Sequence, residues 1–423
     1  MNRRHFLRAS SAAGSSLLLL KPATAFGYQA NSVVRLGLLG CGSRGTAVAT
    51  SFAKNTTAQV VALADLFPDQ LAAAQTHFEQ LNASLGHQPI SNKLLFPGPH
   101  AFEQLAASPD IDLIQISTPP FFHVQHLETA VASGKHVYCE KPIGIDVAQA
   151  KQALEIAKRV KPTQSVDVGF QCRSAPPLAA IAQRIQSGAL GRIAALSANY
   201  NAPASKEKTR PGASTDELRL RNWLWDRALS GDILVEQNIH IIDLCNWILG
   251  AHPTKAIATG GRNVLTHSGD CWDNYEVTFV YPGDIRLSFS STQFGDYGGF
   301  DAGIRIYGLE GSASLAYSGP VQIIGAHPWS AQDATGATGS GTFAANGSFS
   351  DNLAFADRDK ERTFLESIVS GPKHNQIAAG VETSLSCMLG RMAGYQRREV
   401  TWEDLLQHGE TYKLGMDLNQ FAS

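Results

Sequence analysis

An apolar run leading straight into a glycine pattern constrains this chain more than anything else in it. Val33 to Leu39 reads VVRLGLL, a stretch of strand length, and it continues without a break into Gly40-Cys41-Gly42-Ser43-Arg44-Gly45 and a helix-forming segment. A strand that turns into a helix through G-x-G-x-x-G suits a dinucleotide. Gly40 permits the tight turn, Gly42 lets backbone N–H groups approach a pyrophosphate, and Gly45 lets the helix lie close to the strand. The unpaired N–H groups of the helix start, from Ser43 onward, then face an anion. Glycine-rich turns are common, and the next strand decides the matter. Gln59 to Ala64 (QVVALA) ends in Asp65, twenty residues beyond Gly45. A carboxylate there accepts both ribose hydroxyl protons and repels a 2′-phosphate, so NAD is expected over NADP.

Two further apolar strands, Ile111 to Ile116 and His136 to Cys139, alternate with helical stretches. That alternation implies a parallel sheet with right-handed crossovers. Ligands bind beyond the carboxyl ends of such strands, and there the chain places Ser117-Thr118-Pro119-Pro120 and Glu140-Lys141-Pro142. A length of 423 residues with 43% hydrophobic content provides core for two or three domains. The expected class is α/β, with a doubly wound Rossmann domain over residues 31–160 and an α+β domain over 161–423. Between Arg262 and Leu315 apolar and polar residues alternate (YEVTFVY, IRLSFSSTQF, GIRIYG), which predicts hairpins and an open, largely antiparallel sheet. Residues 330–350, rich in Ala, Thr, Gly and Ser, read as a mobile loop. Asp357 to Ser370 and Ala378 to Tyr395 read as amphipathic helices.

Lys+Arg 35 against Asp+Glu 37 leaves a net charge of -2, with no basic excess to attract nucleic acid. The first 25 residues carry Arg3-Arg4 with Phe6 and Leu7, a short apolar run from Ala9 to Leu20, and Ala23-Thr24-Ala25. This matches a twin-arginine export signal, and its apolar run is too short to span a bilayer. A periplasmic protein, exported folded and free of the membrane after cleavage, is the expectation. The cysteines Cys41, Cys139, Cys172, Cys245, Cys271 and Cys387 show neither CxxC spacing nor histidine neighbours, so no metal site is expected. A chain that folds in a reducing cytoplasm needs no disulfides, and buried thiols are expected.

The succession GCGSRG, LAD, STPPFFH and GKHVYCEKP resembles the glucose-fructose oxidoreductase, inositol dehydrogenase and MocA (Gfo/Idh/MocA) family. GFQCR at Gly169–Arg173 and TWEDLL near the C-terminus extend the resemblance from Val33 to Leu406. It implies an NAD-dependent oxidoreductase acting on a sugar or cyclitol, whose second sheet mediates homo-oligomers. It also implies cofactor contacts from Ser43, Arg44, Thr118, Pro119, His123, Glu140 and Lys141.

The remaining chemistry lies in the second domain. Glu236, His240 and Asp243 recur at spacings of four and three, so on one helix they share a face. That face is a solvated stripe or a cleft lining, and the resemblance favours the cleft, because the family carries D-x-G-x-H-x-x-D here. This chain departs from the pattern with Glu236 for the first acid and Asn238 for the glycine. Removing a hydride from a carbinol carbon needs a base for the hydroxyl proton and a group that holds the alkoxide. Lys141 and His240 are the candidates: a lysine beside a cationic nicotinamide has its charged form disfavoured, and histidine titrates near neutrality. His240 is the expected base and Lys141 the orienting group. Glu236 is expected to bond a neighbouring hydroxyl or His240. Arg173, Gln171, Asp243 and Trp223 are expected to bind substrate, with Trp225 and Tyr200 as further stacking surfaces. Three functions remain open: a dehydrogenase, an enzyme that retains NAD and cleaves a glycosidic bond by elimination, and a non-catalytic sugar sensor.

Overall fold

The computed structural model describes residues 33–266, 268–294, 300–331 and 351–422. The export segment and nearly all of the 330–350 stretch lie outside them.

Strand β1 (Val34–Leu39) passes through the glycine turn into α1 (Ser43–Asn55). After β2 (Ala58–Asp65) and α2 (Pro68–Ser84) come β3 (Leu95–Pro97), α3 (Ala101–Ala107), β4 (Leu113–Ile116) and α4 (His123–Ala132). Then follow β5 (His136–Cys139), α5 (Val147–Arg159) and β6 (Val166–Val168). These strands form a six-stranded sheet in the order β3-β2-β1-β4-β5-β6, and every neighbouring pair is parallel. Helices cover both faces, which is why the strands are continuously apolar; Leu36, Leu38, Leu113 and Val137 are fully buried. The order reverses between β1 and β4, and a ligand crevice opens at such a switch point. The first sheet also runs past residue 160, since β6 pairs with β5.

The second domain begins with α6 (Pro176–Gln186), β7 (Ile193–Asn201), α7 (Thr215–Arg221), α8 (Arg227–Ser230), α9 (Ile233–Glu236) and α10 (Ile239–Leu249). The strands β8 (Lys255–Gly261), β9 (Asn274–Tyr281), β10 (Ile285–Thr292), β11 (Asp301–Gly308), β12 (Gly311–Ala316), β13 (Val321–Gly325) and β14 (Trp329–Ser330) follow. The chain closes with α11 (Ala356–Val369), α12 (Ile377–Gln396), β15 (Val400–Thr401) and α13 (Trp402–His408). The nine strands run β14-β13-β12-β11-β7-β10-β9-β8-β15. The sheet is antiparallel as expected apart from one parallel pair, β7 with β10. Phe279, Leu287, Phe289 and Ile306 fill its inner face beneath the helices.

Helix α12 departs from the amphipathic expectation. Its apparent polar face is made of small hydroxyl residues that are themselves buried and bonded: Thr383 donates to Asp243 at 3.0 Å and Ser384 accepts from the Ile143 N–H at 3.0 Å. A hydroxyl that finds a partner sits in a core at little cost. Helix α11 crosses back to the first domain, where Phe364 packs edge-on against Phe52 with ring centres 6.3 Å apart. All six cysteines are free and buried.

Candidate active site

The glycine turn shows why its residues are required. Gly40 has φ 93°, and a Cβ there would come within 2.6 Å of the Ser117 backbone. A Cβ on Gly45 would come within 2.1 Å of the Gly40 carbonyl oxygen, whereas one on Gly42 would meet nothing within 4 Å. Gly40 and Gly45 thus let β1, β4 and α1 approach, and Gly42 faces open space. The α1 N-terminus has no side-chain cap and no acid in its first turn, so its N–H groups are available to an anion. Asp65 accepts the Cys41 N–H at 2.7 Å on one oxygen and the Phe67 N–H at 2.9 Å on the other. Burial pushes its carboxyl up, and the two N–H groups partly oppose that. The groove beside it is lined by Gly40, Gly42, Asp65, Phe67, Thr118 and Pro119. An uncapped helix start, an open glycine and a ribose-level carboxylate are the features NAD requires, and the residues fit it.

At the inner end of this groove a cavity of about 290 Å³ is lined from the first domain by Ser43, Arg44, His123, Glu140 and Lys141. From the second domain Gln171, Tyr200, Trp223, Glu236 and His240 complete it. Lys141 Nζ lies 2.7 Å from Glu236 Oε1 and also donates to the Glu236 carbonyl oxygen. Glu236 therefore pairs with the lysine rather than with His240. Local backbone geometry sets its position. Asp232, at φ 81°, caps the start of α9 and accepts hydroxyl protons from Tyr275 at 3.1 Å and Tyr395 at 2.6 Å, which compensates a conformation costly for a non-glycine residue. His240 is 7% exposed, and its Nδ1 is buried without a partner among the described groups. Burial, reinforced by the positive charges of Lys141 and Arg44, holds the imidazole well below its usual range, so it is neutral at pH 7.

Arg44 lines the inner cavity, but its guanidinium is committed to protein partners rather than to a phosphate. It bonds Glu140 at 2.9 Å, Asp357 at 2.8 Å and Gln171 at 2.9 Å. Lys360 extends the cluster to Asp357 at 2.9 Å and to the Tyr138 hydroxyl. Burial would raise both Glu140 and Asp357, but Arg44 and Lys360 outweigh it and hold both carboxylates ionised. Asp357 and Lys360 escaped the sequence reading because DRDK on a helix looks like a solvated stripe. His123 is also buried, its ring nitrogens 2.8 and 2.7 Å from the carbonyl oxygens of Pro142 and Thr118. It braces the two strand ends.

Two expected substrate ligands do not reach the cavity. The helix imagined from Glu236 to Asp243 is broken by a turn at Gln237–Asn238, and the faces of α9 and α10 are not continuous. Asp243 is fully buried and forms a two-pronged pair with Arg173 at 2.6 and 2.8 Å. Arg173 is thereby spent on a structural carboxylate. Trp225 is 1% exposed and belongs to the core, whereas Trp223 lines both the groove and the inner cavity. Sequence reasoning also missed Lys208, Arg221 and Leu418, which close over the adenosine end from far along the chain. Among the described residues no cluster of three His, Cys, Asp or Glu side chains is placed to hold a metal ion.

Known proteins share both halves of this arrangement. The family described as "Oxidoreductase family, NAD-binding Rossmann fold" (GFO_IDH_MocA) matches residues 34–168, and the GFO/IDH/MocA C-terminal domain matches residues 178–314. Inositol 2-dehydrogenase of Rhizobium meliloti is 26% identical over 292 residues, covering 69% of this chain and 78% of that protein. A glycosyl hydrolase family 109 protein of Solibacter usitatus is 31% identical over 147 residues, 33% of each chain. The solved levoglucosan dehydrogenase in complex with NADH and levoglucosan superposes with a TM-score of 0.66 at 18% identity, over 87% of this chain and 99% of that one. The family matches follow one another along both domains, and the chain belongs to the Gfo/Idh/MocA oxidoreductases, with an NAD-binding Rossmann domain at its N-terminal side.

Proposed function

We propose that the protein transfers a hydride between a hydroxyl carbon of a sugar or cyclitol and NAD, with His240 as the base and Lys141 as the group that holds the developing alkoxide. One observation carries this reading: a histidine kept neutral sits beside a lysine–carboxylate pair at the inner end of a dinucleotide groove. NAD, when bound, supplies the hydride acceptor. With Nδ1 sealed, Nε2 is the His240 nitrogen available to take the hydroxyl proton. An ammonium has three donors, and Glu236 occupies two of those of Lys141, leaving one N–H for the substrate oxygen. Glu236 thus orients the lysine. Gln171, Tyr200 and Trp223 present the polar and aromatic surface that a polyol ring requires. Relatives named for inositol and levoglucosan support that substrate class. A panel of sugars, glycosides and cyclitols, followed at the nicotinamide absorbance band, tests the proposal; a full panel that leaves NAD unreduced and NADH unoxidised would sink it.

The glycosyl hydrolase family 109 relative favours a second reading, in which NAD stays bound and transient oxidation permits elimination of a glycosidic bond. Release of a reducing sugar without net NAD reduction would distinguish it. We also infer export through the twin-arginine route to the periplasm, carried by Arg3-Arg4. Six buried thiols suit a protein that folds before export. Replacing Arg3 and Arg4 by Lys should leave the protein in the cytoplasmic fraction. A homo-oligomer through the outer face of the large sheet is supported by Ile257, Tyr307 and Ile324, 50%, 42% and 53% exposed. Sedimentation at several concentrations tests it.

A further inference from the structure

We propose that residues 205–223, together with the C-terminal residues 412–421, form a second wall of the dinucleotide site that slows release of the bound dinucleotide. The proposal rests on the NAD-binding reading and adds to it which parts of the chain govern release. Asp65 at the end of β2 is followed by Phe67 and Asp69, and the second domain grips both. Asp69 accepts from Arg221 at 2.8 Å on one oxygen and from Arg210 on the other. The Arg221 guanidinium lies over the Phe67 ring, 4.1 Å from its centre. Phe421 meets the same ring edge-on at 5.6 Å.

The tail is itself tied down. The Tyr412 N–H donates to Asp146 at 2.9 Å, the Leu414 carbonyl oxygen accepts from Arg219, and Gln420 donates to Asp216 at 2.9 Å. Leu414, Met416, Leu418 and Phe421 pack around the buried core of Phe122, Leu220 and Leu229. Below this cover Lys208, Leu220, Arg221, Trp223 and Leu418 face Asp65 and Thr118 across the groove. Lys208 has no carboxylate partner among the described residues, so it brings uncompensated positive charge to a site for an anionic dinucleotide. Exposed ion pairs are individually weak. Here, though, they act with aromatic and aliphatic contacts that must part together before the adenosine end can leave, and simultaneous rupture slows dissociation.

The test measures release directly in the full chain. Wild-type protein, purified and desalted without added nucleotide, is denatured and its NAD content quantified; bound NADH is then chased with excess NAD and its fluorescence decay followed. The expected result is NAD retained through desalting, with release about tenfold faster in Asp69→Ala, equivalent to 1.4 kcal/mol. A chain ending at Lys413, which keeps the Tyr412 anchor, should release NADH faster still, with an unchanged far-ultraviolet circular dichroism spectrum. Wild-type protein that emerges empty, or equal release rates in wild type and Asp69→Ala, overturns the proposal while leaving NAD binding intact. Protein that never binds NADH overturns the cofactor reading beneath it.

Discussion

Two ion pairs lie close in sequence in this structure and do different work. Lys141–Glu236 joins the domains at 2.7 Å with its side chains 12% and 10% exposed, facing the inner cavity. Arg173–Asp243 closes at 2.6 Å with the carboxylate 1% exposed, and Thr383 of α12 seals it further. Both bury a carboxylate against a cation within one short stretch of chain. Only the first keeps a free donor beside a neutral histidine at the end of a dinucleotide groove. Chemistry therefore follows from what an ion pair leaves unsatisfied and where that remainder points, while a pair whose carboxylate is sealed in the core contributes shape.

Four measurements would break or sharpen this contrast. The largest effect is expected from His240→Ala and Lys141→Ala, each lowering kcat/KM by about a hundredfold or more, with the melting temperature shifted little in His240→Ala. Wild-type rates in both variants would end the division of labour proposed here. Asp243→Ala should do the reverse, costing about 3 kcal/mol by stranding Arg173 and leaving KM for the sugar near the wild-type value. A large rise in KM at unchanged stability would return Asp243 to the substrate site. The pH dependence gives a third measurement. Because burial and neighbouring cations lower the imidazole of His240, its base form persists as pH falls past 6.5, and the acid limb of kcat/KM should lie below that value. A limb centred above it would assign the step to another group.

The smallest effect concerns a carboxyl outside both pairs. Burial pushes Glu361 up from 4.5 to about 8. Its folded value is the higher one, so the stability it contributes is fully present below about pH 4.5 and is lost as pH rises toward 8. Glu361→Gln should flatten that decline and raise stability at pH 8 relative to wild type; parallel pH–stability curves for variant and wild type would contradict it.

The sequence was legible where function is written in contiguous residues. Gly40 to Gly45 and Asp65 take their meaning from one turn and the strand after it, so spacing alone was enough. Glu236 and His240 reach one cavity although the helix thought to join them is broken at Gln237–Asn238. Short spacing survives such an error, because four residues carry the chain no more than about 14 Å in any conformation. Longer connections left no trace. Arg44 finds Asp357 across 313 positions and Asp243 finds Arg173 across 70, and no periodicity encodes who meets whom at that distance. The serines and threonines of α12 misled for a related reason: their partners come from other elements, so pattern counts them as solvent-facing.

The return of α11 to the first domain bears on how the protein is made. Phe364 completes the cluster around Phe52 and Tyr138, and Glu361 receives a hydrogen bond from Ser51 across 310 positions. A nascent chain emerging from the ribosome can pair β1 to β6 early, but one flank of the Rossmann unit stays uncovered until Ala356–Val369 has been made. Completion of the Rossmann core in this sense waits on the second domain, and severing the gene between its halves would yield two fragments, each with an exposed oily face.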